Sequence, residues 1–459
     1  MTGPSALTPR RIARARAMTA FRHRNYRLFF VGQTISLIGT WMQQVAQAWL
    51  VLQISGGDPL WLGVVAAAQF VPVMILGLFA GVLADVLPKR QTLLAVQVVM
   101  MILAIILTVL AATGLVEIWM IIVLALLLGC ANAVDMPVRQ AFAIEMVGPG
   151  DIGNAVSINS AMFNGARVVG PAVAGLTIGA FGIPVAFAIN AASFLAVIVA
   201  LAAMRDDDLR RARLVPRPRS FADVIENLVE GLRYVRHTPI VLMAVTVVGL
   251  VATFGMNFQV LIPPLAQEVL ASDAAGYGFL MTASGLGALV AAVGLVIGGK
   301  PRPMRIATGA LVLGVATVVL ALSTSYPLSL LLMLPVGAGG IAMAATANAT
   351  IQLNVPDGLR GRVMSVYTTV FAASIPIGGL ATGALASVAG IPLTIALGGI
   401  LSLATGVAAV VWWRRIARRS VVRETFAGPG SVVPLTSGPA AVGSGPAGPG
   451  PTPEPYRSR

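Results

Sequence analysis

Two long apolar runs of the sequence carry charges near their centres: ANAVDMPVRQ at residues 131–140, and GARVVGPAVAG at residues 165–175. A charged side chain at the centre of a bilayer costs about 2.5–3.5 kcal/mol on insertion scales. Asp135, Arg139 and Arg167 are therefore expected to pair with other groups or to have a functional role. The rest of the chain indicates in which kind of protein.

The composition is typical of a helical membrane protein. Of the 459 residues, 57% are hydrophobic and only 10% are charged, whereas about a quarter of the residues in an ordinary soluble domain are charged. Most of the chain consists of apolar runs of about twenty residues, the length that crosses a bilayer as a helix. These runs do not alternate polar and apolar residues, which excludes a transmembrane β-barrel. We predict an all-α polytopic membrane protein.

The net charge of +14 indicates topology rather than nucleic-acid binding. Lys and Arg concentrate before residue 28, at 89–90, 205–236, 300–305 and 360–362, and from 414 onward. The short connections between these sites contain neither residue, so the positive-inside rule repeats along the chain. This pattern places both termini in the cytoplasm and predicts an even number of spans. We expect contact with anionic membrane lipids and no nucleic-acid partner.

Metal, disulfide and nucleotide chemistry find little support in the sequence. Cys130 is the only cysteine, which excludes an intrachain disulfide and a cysteine metal cluster. Residues 294–300, GLVIGGK, look like a phosphate loop, but Pro301 stands where Ser or Thr would bind magnesium. We predict no metal site, no bound cofactor and no enzymatic activity. The Arg-rich start precedes an apolar run too long for a signal-peptide core, so we expect an uncleaved first span.

Twelve spans and five regions follow from the hydropathy. The predicted spans are 28–54, 61–84, 92–113, 118–146, 152–178, 184–204, 239–267, 276–299, 306–323, 327–353, 360–387 and 392–415. The predicted regions are a basic cytoplasmic N-terminus (1–27), an N-terminal six-helix half (28–204), a cytoplasmic linker (205–238), a C-terminal six-helix half (239–415) and a basic, then Gly/Pro-rich tail (416–459). We expect residues 426–459 to be disordered.

The two predicted halves resemble one another in sequence. At an offset of 208 positions, Gly150 matches Gly358, Ser157 matches Ser365, and the Gly-Ile-Pro at 182–184 matches that at 390–392. The offset covers an even number of helices, so the repeat is parallel, an arrangement found in transporters. Within the linker, apolar residues recur at helical spacing from Phe221 to Val235. This helix lies on the inner membrane surface or is a solvated linker helix.

The connection GVLADVLPKR at residues 81–90 resembles the cytoplasmic signature loop of the major facilitator superfamily. The matching residues are Gly81, Leu83, Ala84, Asp85, Lys89 and Arg90, whereas Val86 and Pro88 depart from the pattern. The resemblance implies that Asp85 stabilises an outward-open state by meeting a helix N-terminus near Leu359, where the helix dipole is positive. Glu145 is expected to pair with Lys89 or Arg90 as an inner gate latch.

The two charged runs resemble the fourth and fifth helices of drug/proton antiporter-type members of that superfamily. The matching residues are Asp135, Pro137, Arg139 and Gln140 in the first run, and Gly170, Pro171 and Gly175 in the second. Ala174 stands where the family usually has a glycine. The closest likeness is to the branch with macrolide and enterobactin (siderophore) exporters. The resemblance covers about residues 20–415 and implies two pseudo-symmetric six-helix halves.

Asp135 and Arg139 are the predicted coupling residues. They are four positions apart and share a helix face, so each offsets the desolvation of the other. Protonating Asp135 would release Arg139, which makes the pair a coupling device. Alternatively, the pair is permanently locked, or Arg139 extends to the inner interface. Arg167, with Asn164, faces the substrate cavity or completes a structural triad with Asp135.

A polar stripe predicts where the substrate lies. Thr40, Gln43, Gln44 and Gln47 share one face of the first span, and Phe254 and Asn257 form a similar patch in the seventh. Such side chains face a cavity or a neighbouring helix rather than lipid. We predict a pocket for an amphipathic organic molecule, with interhelical hydrogen bonding as the alternative. Gly77 and Gly81 are expected to be close-packing points between helices.

These observations predict a monomeric multi-pass transporter of the plasma (inner) membrane. It exports a small amphipathic compound by alternating access, with the proton gradient as its energy source. One charge moving inward across about 100 mV yields about 2.3 kcal/mol, enough for a gradient of about fifty-fold. The alternatives are a nutrient importer or facilitator, and a membrane sensor or scaffold that acts through its tail. Two buried arginines against one aspartate also suit an anionic substrate.

Overall fold

The computed structural model of the protein describes residues 18–210, 221–299 and 301–426, without the side chains of 78–86, 221–224 and 417–426. These residues form helices and connections, with no strand among them. One compact unit spans Met1–Ile416, and Ala417–Arg459 forms a second, of which only the last turns of a helix are described. The predicted disordered tail lies outside the described residues beyond Phe426.

The helices are numbered in chain order. The first six are α1 (Arg24–Ile54), α2 (Pro59–Val86), α3 (Lys89–Thr113), α4 (Ile118–Val147), α5 (Ile152–Phe181) and α6 (Ile183–Ala202). The linker contains α7 (Phe221–His237). The remaining helices are α8 (Pro239–Gly255), α9 (Phe258–Pro264), α10 (Ala274–Ile297), α11 (Met304–Leu322), α12 (Tyr326–Asn354), α13 (Asp357–Ala389) and α14 (Ile391–Phe426). Short 3₁₀ turns lie at Thr19–Arg22 and Asp206–Asp208.

Ten segments of the described chain are helical, long and apolar enough to cross a membrane. They are α2, α3, α4, α6, α8 together with α9, and α10 through α14. The two other long helices, α1 with 31 residues and α5 with 30 residues, are not among them. Both are more polar because they carry the predicted Gln stripe and the predicted Asn164 and Arg167, respectively.

The predicted seventh span is interrupted, which corrects the expectation of one continuous helix over 239–267. Helix α8 ends at Gly255, and α9 starts at Phe258. At the break, the side-chain amide of Asn257 donates a hydrogen bond of 2.6 Å to the Thr253 carbonyl. That carbonyl is the one that the backbone N–H of residue 257 would use in a continuous helix, so the side chain competes with the helix for its own acceptor.

Helices pack within an N-terminal group, α1 to α6, and a C-terminal group, α8 to α14. In the first group α1 packs on α5 and α6, α2 on α4, and α3 on α4 and α6. In the second, α12 contacts α10 and α11, α13 contacts α8, and glycines of α14 meet α8 and α11. The groups meet along two main seams, α2 with α13 and α5 with α10.

The two seams close at only one end of the molecule. We call the end with Lys89 and the 360–362 arginines the basic end, and the other the non-basic end. At the non-basic end, a Cβ on Gly63 would lie 2.3 Å from the Gly379 carbonyl oxygen, and one on Gly278 would lie 2.4 Å from the Pro171 carbonyl oxygen. Backbones this close require glycine, because any side chain would overlap the facing helix.

Toward the basic end the two groups separate. All buried residues of α10 lie between Ala274 and Ala288, and Val296, on the same face of α10 as Gly278, is 84% exposed to open space. The same open space surrounds Gly77 of α2 and Gly150 and Gly361 at the starts of α5 and α13. The expectation that Gly77 is a close-packing point is therefore wrong for this conformation, because no other helix lies within 4 Å of its Cβ position.

The predicted linker helix is present and packs on the start of α13. Glu230 of α7 contacts Arg362, and a Cβ on Gly231 would lie 2.5 Å from the Arg362 carbonyl oxygen. Val235 is buried, whereas Ile225, Val229 and Leu232 are 45–50% exposed along the other side of the helix. An amphipathic helix with an uncovered apolar stripe results, and its placement on the membrane stays a prediction.

Candidate functional site

Asp135 lies at the centre of a buried polar cluster in the N-terminal group. Its side chain has 0% exposure and contacts the Arg139 guanidinium one turn later on α4. Its other carboxylate oxygen accepts a hydrogen bond of 2.9 Å from the Gln97 amide of α3. The structure thus brings together the predicted pair and adds Gln97, which sequence reasoning missed because a single Gln in an apolar run has no distinctive spacing.

The cluster is incompletely hydrogen-bonded. The Gln97 side-chain oxygen and the Arg139 Nε are both buried and have no hydrogen-bond partner among the described residues. The Arg139 side chain as a whole keeps 24% exposure, so the arginine reaches the surface of the helix group while the carboxylate does not. The cluster therefore has one acceptor and one donor free for a change of partner. A new partner would be favourable, because an unpaired buried polar atom is costly.

The ionic contacts of Lys89 and Arg90 at the basic end both lie on the N-terminal side of the molecule. Lys89 Nζ lies 2.8 Å from Glu145 Oε1, linking the start of α3 to the end of α4. Arg90 contacts Asp206 at 2.5 Å and donates hydrogen bonds to the Leu201 and Ala202 carbonyls at the end of α6. Neither pair connects the two groups in this conformation, so the latch role of Glu145 stays a prediction. Only the backbone is described at Gly81 and Asp85, so their predicted roles stay predictions.

Arg167 lies beside Trp41 and apart from the Asp135 cluster. Its guanidinium carbon lies 5.9 Å from the centre of the Trp41 ring of α1. The side chain is half-buried and has no ion pair with any described residue, so it forms no triad with Asp135. Asn164, one turn earlier, donates a hydrogen bond to the Ser160 carbonyl. The triad is absent from this conformation, and the cavity-facing alternative for Arg167 stays a prediction.

The antiporter-type motif of α5 forms one of the two seams. Gly170 lies against Trp41 of α1, where a Cβ would be 2.4 Å from the Trp41 Cβ. Pro171 and Gly175 face Gly278 of α10, and Gly175 also meets Ala275. The small residues of the motif therefore let α5 approach two helices closely, one in each group.

The predicted cavity residues are largely engaged in bonds between helices. Gln43 accepts a hydrogen bond from Asn190 of α6, and Gln44 accepts one of 2.9 Å from Gln259 of α9, across the two groups. Thr40 bonds back to the Ser36 carbonyl, and Gln47 is buried with 7% exposure. These contacts favour the alternative of interhelical hydrogen bonding for this stripe.

The second predicted patch lies within the C-terminal group. Phe254 and Asn257 line a narrow cavity whose other walls come from α9, α11 and α14. No residue of the first-span stripe lines this cavity, although the neighbouring Gln259 bonds to Gln44, so the common pocket stays a prediction. Gln140, at the end of the Asp135 motif, is exposed on α4.

The N-terminal segment is anchored at the basic end by residues that the sequence did not single out. His23 Nε2 lies 2.9 Å from Asp151 Oδ2 at the start of α5, and Asn25 bonds to the Arg205 backbone. The hydrogen bond with His23 is the main cause that lowers the pKa of the Asp151 carboxyl below its ordinary value. Both partners lie outside the membrane-crossing helices, so this contact fixes the entry of the chain into α1.

Comparison with known proteins identifies the family of this protein. The profile of the transmembrane secretion effector family matches residues 15–430. The chain belongs to this family of the major facilitator superfamily. The superfamily resemblance that the motifs predicted is confirmed, and the protein is a multi-pass plasma-membrane transporter of small molecules rather than an enzyme.

Curated relatives of this major facilitator chain span nearly its whole membrane region. It is 31% identical over 376 residues to the multidrug efflux pump Tap of Mycolicibacterium fortuitum, covering 80% of this chain and 90% of the relative. It is 25% identical over 390 residues to the staphyloferrin A transporter of Staphylococcus aureus, covering 82% and 93%.

Solved structures share the fold of this transporter at low identity. A peptide transporter of the POT family in complex with sulfate aligns with a TM-score of 0.69 and 16% identity, over 86% of this chain and 95% of that one. A bacterial homologue of the lysosomal transporter Spinster, in an inward-facing and unoccupied conformation, aligns with a TM-score of 0.60 and 13% identity, over 85% and 95%. At this identity the likeness bears on the fold alone.

Proposed function

We propose that this transporter exports a small amphipathic organic compound by alternating access, driven by proton entry through Asp135. The observation that carries the proposal is the buried Asp135 carboxylate, held by Arg139 and Gln97 inside a major facilitator transporter. A buried ionisable group in a membrane protein marks an ion or substrate pathway by default. The direction of transport rests on the relatives, which include a multidrug efflux pump.

The proposed architecture has twelve membrane-crossing helices and cytoplasmic termini. Helices α1 and α5 complete the ten apolar spans, because each is about 30 residues long and each packs among spans of its own group. The basic end is the cytoplasmic end by the positive-inside rule. With this orientation the separated ends of α5, α10 and α13 open inward, and the glycine seams close the outward path.

In the proposed mechanism, protonation switches the Asp135 cluster between two arrangements. A charged Asp135 holds Arg139, and each offsets the desolvation of the other. A neutral Asp135 releases the guanidinium to other partners, and Gln97 has a free oxygen to contribute. One proton entering per cycle, across about 100 mV, supplies about 2.3 kcal/mol. The protein acts as a monomer in contact with anionic lipids, without nucleic acid or a bound cofactor.

The test is efflux from cells that lack their main export systems. We would measure retention of amphipathic dyes, antibiotics and a catechol siderophore with wild type, Asp135→Asn and the control Asp207→Asn, which removes an exposed acid at the basic end. We expect wild type and Asp207→Asn to lower retention of at least one compound. We expect Asp135→Asn and a protonophore each to abolish that effect at equal protein level.

Two results would contradict the proposal. Full efflux by Asp135→Asn would make the carboxylate structural and remove the proposed coupling. Accumulation rather than loss of a compound in cells with wild-type protein would mean that the transporter imports.

A further inference from the structure

We infer that the exported compound carries a carboxylate, and that this group binds the Arg167 guanidinium beside the Trp41 ring. This inference rests on the proposed export function and adds the charge of the substrate to it. Three observations support it: the position of Arg167 in the cleft, the balance of charge within the spans, and the aromatic side chains next to it.

Arg167 lies where the contact between the two helix groups ends. A Cβ on Gly285 of α10 would lie 3.0 Å from the Arg167 carbonyl oxygen. Closer to the non-basic end α5 and α10 are packed together, whereas Val293 and Val296, on the same face of α10 toward the basic end, are 50% and 84% exposed. Residue 167 is therefore at the level where the cleft that opens toward the basic end begins, and its side chain is half-buried there.

Among the residues whose side chains are described, no acid forms an ion pair with Arg167. Asp135 already contacts Arg139 and Gln97. From residue 239 to residue 416 the sequence has only three acids, Glu268, Asp273 and Asp357, and all three lie near helix ends rather than midway along a span. The centre of the transporter therefore has one net positive charge while Asp135 is ionised. A half-buried cation without a counterion favours an anionic ligand.

The surroundings of Arg167 suit an aromatic or otherwise apolar acid. The Trp41 ring lies 5.7 Å from the Phe163 ring in an edge-to-face arrangement, and Phe163 is 47% exposed. A cation–π contact with an indole leaves the N–H groups of a guanidinium available to a ligand. Those N–H groups match the two oxygens of a carboxylate. The cleft thus presents a charge-specific contact next to an aromatic wall.

The inference is tested by binding of two dyes with the same ring system and opposite charge. Fluorescein is an anionic xanthene with a carboxylate, and rhodamine 123 is a cationic xanthene. Fluorescence anisotropy with the purified full-length protein in detergent gives both affinities. The variants are Arg167→Gln, Arg167→Lys and the control Arg233→Gln, which removes an exposed arginine of α7.

We expect wild type and Arg233→Gln to bind fluorescein at least tenfold more tightly than rhodamine 123. Arg167→Gln should weaken fluorescein binding at least tenfold and leave rhodamine 123 unchanged or tighter, and Arg167→Lys should retain part of the fluorescein affinity. Matched melting temperatures of the variants would show that the change is not one of folding.

Three results would overturn the inference: no fluorescein binding by wild type, equal binding of both dyes by wild type, or an equal loss of both in Arg167→Gln. The last would make Arg167 a positioning residue that fixes α5 on α1 through Trp41. Energy-dependent efflux in cells tests export separately. A transporter that exports cationic compounds and ignores fluorescein would sink this inference and leave the proposed function standing.

Discussion

At the scale of single residues, charge pairing inside the membrane decides which side chains carry function. Asp135 and Arg139 meet because one helical turn separates them on α4, and Gln97 reaches the carboxylate from α3. Breaking a buried ion pair from one side is costly, because the remaining charge loses its partner. Removing both charges avoids that cost. A variant without either charge can therefore regain stability while it remains unable to couple transport to protons.

The first prediction uses this difference. Arg139→Gln should lower stability by about 3 kcal/mol, seen as a lower melting temperature in detergent, because the Asp135 charge is left with Gln97 alone. The double variant Asp135→Asn/Arg139→Gln should recover most of the melting temperature and remain inactive in efflux. A double variant less stable than Arg139→Gln would show that the ion pair itself, rather than the unpaired charge, controls folding.

At the scale of helices, close backbone contact at glycine defines the seams. Gly278 of α10 faces the Pro171 carbonyl, whereas Gly294 on the same helix faces open space. The two glycines therefore form a matched pair: an added methyl group overlaps a backbone atom at one position and meets nothing at the other.

The second prediction is that Gly278→Ala destabilises the observed conformation by about 1–3 kcal/mol, the usual cost of overpacking, and that Gly294→Ala does not. Melting temperatures of the two variants, with efflux as a second measurement, check this. Equal melting temperatures would show that α5 and α10 can move apart at the non-basic end without cost.

The third prediction concerns the exposed apolar stripe of α7. Replacing Ile225, Val229 and Leu232 together by Ser should release this helix from the membrane surface when the protein is in liposomes with anionic lipid. The measurement is the fluorescence of a polarity-sensitive dye attached to the cysteine of Arg236→Cys, in a Cys130→Ala background. The physical reason is the lost burial of three apolar side chains in the membrane interface. An unchanged dye signal would favour a solvated linker helix.

At the scale of the whole molecule, the two groups touch at the non-basic end and part at the basic end. The repeat detected at an offset of 208 residues places Ser157 on α5 and Ser365 on α13 at equivalent points. Both serines are exposed and each bonds to the carbonyl four residues earlier. They are therefore equivalent reporters of the cleft on its two sides.

The fourth prediction is made in a Cys130→Ala background. Ser157→Cys and Ser365→Cys should react with a membrane-impermeant thiol reagent in inside-out vesicles and remain unmodified in intact cells. Thr113→Cys, exposed at the end of α3 on the non-basic side, should show the reverse. Labelling of all three from the same side would contradict the proposed orientation of the basic end.

The sequence alone determined the class of the protein, because hydropathy and the positions of Lys and Arg are local properties that act through the membrane. Motif spacing also determined the Asp135–Arg139 pair, since four residues make one helical turn. Tertiary structure alone decided which polar side chains are engaged. Gln97 joins Asp135, the Gln stripe bonds to Asn190 and Gln259, and Arg167 stands apart beside Trp41.

The conformation is the other property that no local pattern could supply. The same glycines permit close packing in any state, and Gly77 and Gly278 look alike in sequence although one faces open space and the other a backbone carbonyl. Which of them is in contact depends on how the two helix groups are placed. That placement is a balance of contacts between residues more than a hundred positions apart, and it exists only in the folded chain.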